Sequence, residues 1–202
     1  MTLAEIPAAL LQGLQALSGW EFAAVGLAVA YLLLAIGQSR WCWPAAIASA
    51  AIYLFLMFDA RLYMQSVLQL FYIAMAIYGW ICWRAGEAGQ ELPVISWSAR
   101  DHVRPLLIIL FSGAIMGGLM AQYTHAAAPW LDALAASGAV VTTWMVARKI
   151  LQNWAYWFVI DLGLAWLYAS QGLWLTALLF LAYLVMIIVG YRSWRASMTA
   201  HV

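Results

Sequence analysis

Asp161 lies inside an apolar run, Asn153-Trp154-Ala155-Tyr156-Trp157-Phe158-Val159-Ile160-Asp161. Residues 154, 157 and 161 are three and four apart, so on a helix they form one stripe. A carboxylate in the middle of an apolar helix is costly unless it faces a cavity, a partner or a ligand. Indole rings beside it stack on planar groups or on a sugar's apolar face, and they draw cations to their own faces. The stripe therefore has the chemistry of a binding site. The rival role for Asp161 is a hydrogen bond between two helices.

Other side chains suit the same task. Gln65, Gln69 and Tyr72 are spaced by four and three and make a second stripe. Thr176, Phe180 and Tyr183 make a third at the same intervals. Gln69, Gln122, Asn153 and Thr176 both donate and accept hydrogen bonds, which fits hydroxyls or a carboxamide. Trp144 adds a further indole. No Arg or Lys falls well inside an apolar span, so a phosphate there would have no buried counter-charge. The expected ligand is neutral or cationic, and nucleotides are expected to be rejected.

Enzyme chemistry finds little support. His102 and His125 fall in or beside loops and His201 is in the tail. Haem ligation, a metal cluster and a serine nucleophile with a nearby histidine are all without candidates. No Gly-rich phosphate loop occurs, so no cofactor and no catalytic residues are expected. Cys42 and Cys82 read as packing residues rather than a redox or metal pair. A net charge of +1 gives no argument for nucleic acid.

These residues need an apolar scaffold. The 202-residue chain is 67% hydrophobic and 8% charged, whereas a soluble domain carries charges on about a quarter of its residues. Apolar spans fall near 20–38, 42–58, 62–83, 105–122, 129–147, 153–170 and 172–191. Most approach the roughly 20 residues needed to cross a bilayer. Residues 1–19 read as an interfacial lead-in, 84–128 as a polar loop plus a linker helix at 105–122, and 195–202 as a tail.

Seven spans would place Arg40, Arg84, Arg100, Arg104, Arg148, Lys149, Arg192 and Arg195 on one side and Arg61 alone on the other. That bias predicts an N-terminus outside and a C-terminus in the cytoplasm. Trp80, Trp83, Trp97, Trp130 and Trp194 fall near span ends and are expected to anchor at the interface. Glu21 and Asp132 each begin a span on the outer side, where an acid complements the helix dipole and caps the helix.

The chain also repeats itself. A shift of 111 residues aligns 43–83 with 154–194 without a gap, pairing Trp43 with Trp154, Tyr72 with Tyr183, Gly79 with Gly190 and Trp83 with Trp194. Glu21 falls on Asp132 at the start of each half. The expected fold is an all-α integral membrane protein with seven transmembrane helices. They form parallel triple-helix repeats at 20–83 and 129–194 in a 3+1+3 arrangement, and such repeats place a site at their interface. The counterpart of the Trp154/Trp157/Asp161 stripe is Trp43/Ala46/Ala50, so one repeat supplies bulk and charge while the other supplies room. Gly113, Gly117 and Gly118 in the linker, with Gly79 and Gly190, would let neighbours approach closely.

The strings Ala147-Arg148-Lys149-Ile150-Leu151-Gln152-Asn153-Trp154, with Trp157 and Asp161, Gly172-Leu173-Trp174-Leu175-Thr176-Ala177 and Val189-Gly190-Tyr191-Arg192-Ser193-Trp194 resemble the bacterial nicotinamide riboside transporter family, PnuC. Leu68-Gln69-Leu70-Phe71-Tyr72 and Tyr78-Gly79-Trp80 match its earlier half, so the resemblance runs from about 20 to 195. It implies a fold like the SWEET sugar transporters and facilitated diffusion of nicotinamide riboside across the bacterial inner membrane by alternating access. A separate cytoplasmic kinase would trap the product. It further implies a homo-oligomer, such as a trimer, surrounded by lipid. Alternatives are a carrier of another nucleoside, sugar or vitamin, and, further off, a membrane enzyme or a structural protein.

Overall fold

A computed structural model describes residues 15, 18–59, 61, 63–84, 92–124 and 128–199. Most of the expected lead-in, His125, His201 and the side chain of Gln65 lie outside the described residues. The described residues form seven α-helices: α1 Gly19–Ile36, α2 Cys42–Asp59, α3 Tyr63–Arg84, α4 Val103–Tyr123, α5 Pro129–Ala147, α6 Asn153–Ser170 and α7 Trp174–Thr199. Local sequence explains several of their ends. The Ser18 side chain accepts from the Glu21 backbone N–H while the Glu21 carboxylate accepts from that of Ser18, a reciprocal box that starts α1. Pro129 occupies the first turn of α5, where its missing N–H costs nothing. Arg192 and Arg195 end the apolar stretch but not the helix, and α7 continues to Thr199.

Among the described residues six helices are long and apolar enough to cross a membrane; α6 falls short because Asn153, Asp161 and several aromatic polar groups dilute it. Its neighbours explain how it is tolerated. The helices touch in the cyclic order α1, α2, α3, α5, α6, α7 and back to α1, while α4 packs on the flank of α5. Thus α6 is held between α5 and α7 within a closed ring. The junctions α3–α5 and α7–α1 correspond under the 111-residue repeat, so the two bundles are related by a pseudo-two-fold axis through the ring. Gly113 and Gly117 let α4 sit close: an added Cβ would approach Leu134 and Trp130 side chains to 2.6 Å.

One end of the ring is acidic, carrying Glu21, Asp59 and Asp132. The other carries all the basic residues but Arg61, together with a tryptophan array, and is called the tryptophan end below. There Trp43 meets Trp83 edge-on at 5.4 Å and Trp154 meets Trp194 likewise at 5.4 Å. Trp83 and Trp194 approach each other to 6.1 Å, joining the repeats. Gly79 and Gly190 make room for this: a Cβ on either would lie within about 2.6 Å of the Trp43 or Trp154 ring. The Trp83 indole N–H donates to Ala147 O at 3.1 Å and that of Trp194 to Ala35 O at 2.9 Å. Each bond crosses one junction between the repeats. Trp83 and Trp194, expected as interface anchors, are instead buried core residues. Their place near a span end is visible in sequence, but the helix face they occupy points into the ring.

The polar segment before α4, residues 92–98, folds over this end as a strap. Ile95 N–H donates to Lys149 O at 3.0 Å, and Leu151 N–H to Ile95 O at 2.8 Å. Gln152 accepts from Trp97 N–H and donates to Ser96 Oγ and Trp97 O. The turn leading into α6 is thereby fixed before Asn153 begins the helix.

Candidate functional site

The α6 stripe forms as the spacing predicts. Asp161 is only 6% exposed and Trp154 2%, with Trp157 half-buried against the tryptophan core. No hydrogen bond joins Asp161 to another described residue. The interhelical bond that would give Asp161 a purely structural role is therefore absent among the described residues. Tyr183 of α7 lies close enough to interact electrostatically with both Asp161 and Tyr53 of α2. Tyr183 thus stands within electrostatic reach of groups on two other helices, one from each repeat.

Tyr53 was not legible as a site residue. It extends the Ala46/Ala50 stripe by three positions, and that continuation is the signal that could have found it. Tyr31 is a second addition: it lies near Tyr72 and Cys42 and places its ring 6.1 Å from Trp43. Tyr72 and Gln69 are half-buried on α3. Phe180 stands between Tyr168, at 5.3 Å, and Tyr183, at 5.7 Å. Thr176 is one turn nearer the acidic end on the same helix.

Asn153 is fully buried. Its side-chain amide donates to Ile150 O, whereas its Oδ1 has no hydrogen-bond partner. The indole N–H groups of Trp43 and Trp154, equivalent under the repeat, are likewise buried without a partner. An unsatisfied buried polar group costs about 1–3 kcal/mol. One acceptor and two donors near the tryptophan end are thus left unpaired in this conformation.

Two proposed contributors stand apart from this group. Gln122 is exposed near the end of α4, which touches the ring only through α5. Trp144 is 40% exposed and its ring tilts against Trp97 at 6.1 Å, on the strap side of α5. Two crevices of about 320 and 610 Å³ lie beside α2, and neither is lined by a candidate residue.

No Arg or Lys lies in the apolar middle of a described helix, as expected, yet one in a turn is buried. Lys149 is 2% exposed, with its ammonium 3.2 Å from Gln38 Oε1 and 4.7 Å from the Trp83 ring centre. Gln38 and Lys149 are themselves repeat mates, both in left-handed turns with φ of 56° and 49°. That conformation turns Lys149 inward across the pseudo-axis, so a buried cation does exist at the tryptophan end. Among the described residues no group of three metal-ligating side chains forms.

A ring of two parallel triple-helix bundles, with a linker helix outside it and a polar cluster at its centre, defines a membrane protein of the carrier type. The family model for the nicotinamide mononucleotide transporter matches residues 18–196. The chain belongs to that family, and it is a transport protein rather than an enzyme. Among characterised relatives, the riboflavin/roseoflavin transporter RibM of Streptomyces davaonensis is 25% identical over 84% of this chain and 82% of its own length. The nicotinamide riboside transporter PnuC of Escherichia coli is 24% identical over 68% of each chain. The crystal structure of a vitamin B3 transporter, PnuC, superposes with a TM-score of 0.71 at 17% identity, covering 99% of this chain and 91% of its own.

Proposed function

We propose that the chain carries nicotinamide riboside across the bacterial inner membrane by facilitated diffusion, with the two bundles rearranging about the Asp161 cluster in alternating access. The observation that carries this is the buried carboxylate of Asp161, without a hydrogen bond to another described residue, on one stripe with Trp157 and within electrostatic reach of Tyr183. A pyridinium ring matches that charge, and the tyrosines offer hydrogen bonds to ribose hydroxyls. The similarity to the Escherichia coli riboside transporter supports the same substrate.

In this assignment the tryptophan end is cytoplasmic, because eight of nine basic residues gather there. The closed array of Trp43, Trp83, Trp154 and Trp194 would then be an inner gate, with the two cross-junction indole bonds breaking as it opens. An inside-negative potential favours entry of the cation. The protein would work as a homo-oligomer in lipid, and a cytoplasmic kinase would retain the product by phosphorylation.

Exclusion of the phosphorylated form cannot rest on the lack of any buried cation, given Lys149. It rests on Asp161, which would repel a phosphate in the centre of the ring. A second assignment, riboflavin, is favoured by the similarity to RibM over most of its length. Calorimetric titration of the detergent-folded protein with nicotinamide riboside, its mononucleotide, riboflavin, thiamine and uridine decides between them. Selective binding of the riboside is expected. Binding of riboflavin alone, or of all five equally, would refute the substrate.

A further inference from the structure

Two acids begin corresponding helices at the acidic end, and the structure uses them differently. Glu21 closes the capping box of α1, its carboxylate accepting from Ser18 N–H at 2.6 Å. Its mate Asp132 lies in the first turn of α5, whose N-cap, Ala128, makes no side-chain capping bond. The Asp132 carboxylate is half-buried and close enough to Tyr168 of α6 to interact with it electrostatically. Both acids lie in a first turn, where a carboxylate complements the helix dipole as expected, but only Glu21 also makes a capping hydrogen bond.

Tyr168 begins a continuous series of rings. It contacts Phe180 at 5.3 Å, Phe180 contacts Tyr183 at 5.7 Å, and Tyr183 neighbours Asp161. These rings belong to α6 and α7, adjacent members of the ring of helices, and descend from the acidic end to its middle. The first repeat has no matching ladder, since Tyr168 and Phe180 fall on Met57 and Gln69 under the 111-residue shift. One side of the pseudo-symmetric ring thus carries an aromatic track with a carboxylate at each end.

We propose that Asp132, Tyr168 and Phe180 form an outer subsite that captures a planar aromatic cation and passes it along the ring faces to Asp161. This rests on the assignment of a cationic substrate above. A carboxylate at the mouth raises the local concentration of a cation, and ring faces hold it without a deep well that would slow its onward step. A subsite on the path accelerates arrival and departure together and leaves the final affinity nearly unchanged. A neutral ligand gains nothing from it.

The test is stopped-flow tryptophan fluorescence on the full chain in detergent at low salt, with nicotinamide riboside and its neutral dihydro form. In Asp132→Asn the association and dissociation rates for the cation should each fall about three- to tenfold, with Kd shifted less than twofold and the neutral form unaffected. Tyr168→Phe should keep the wild-type rates and Tyr168→Leu should slow the cation. Unchanged cation rates in Asp132→Asn, or equal slowing of both ligands, would overturn the proposal. A wild-type protein that binds no riboside would instead refute the substrate assignment, and the outer subsite with it. Should Asp132→Asn lose its fold, equal rates in the two Tyr168 variants would still refute the track.

Discussion

Replacing Asp161 by Asn separates a binding carboxylate from a structural one, because the side chain keeps its shape and loses only its charge. Two unit charges about 4 Å apart attract by ~4 kcal/mol at an effective dielectric of ~20. Asp161 is 6% exposed, so water screens the pair little, although removing both charges from water cancels part of the gain. A net loss of about 1–3 kcal/mol follows, or roughly 5- to 150-fold in Kd. Stability should respond in the opposite sense. The carboxylate has no hydrogen bond to another described residue, so its neutralisation removes a desolvation cost without breaking a contact. Titration calorimetry with nicotinamide riboside and thermal unfolding in the same detergent provide both readings. An unchanged Kd accompanied by a fall in Tm would refute the reasoning and make Asp161 a packing residue.

The tryptophan end yields paired predictions. Gly79→Ala and Gly190→Ala each push a Cβ into an indole ring and should each lower stability by about 1–3 kcal/mol, read as similar falls in Tm. A large effect in one and none in the other would break the equivalence of the repeats. Trp83→Phe and Trp194→Phe each remove one indole N–H donor across a junction and should loosen the closed end, which cysteine accessibility at Cys42 would report. Gln152→Ala frees three hydrogen bonds to the strap, and hydrogen exchange at residues 96–98 should accelerate while exchange in the middle of α5 does not.

Several features of the fold could be read directly. The spans at 129–147 and 153–170 coincide with α5 and α6, since turn residues and charges bracket both. The repeat register, taken from Trp43/Trp154 and Gly79/Gly190, reappears as two indoles seated on two glycines. Other features could not be read. A basic pair at 148–149 looks like any loop charge until a left-handed turn at Lys149 folds its side chain inward. Tyr53 had no chemically similar mate, since Leu164 occupies the corresponding position, so the repeat did not call attention to it. The turn of Trp144 toward Trp97 and the exposed place of Gln122 on α4 could not be read either.

Sequence by itself determined the membrane class, the approximate place of each of the seven described helices, and the internal two-fold relation. Those properties follow from apolar length and period, which act within a segment. Only the tertiary structure decided which helix faces meet: that Trp83 and Trp194 close one end of the ring, that α4 stays outside it, and that Asp161 and Tyr53 both come within electrostatic reach of Tyr183. Trp83 and Trp194, and likewise Tyr53 and Tyr183, lie more than a hundred positions apart in the chain. Such contacts depend on how six helices close on one another, and no local pattern encodes that closure.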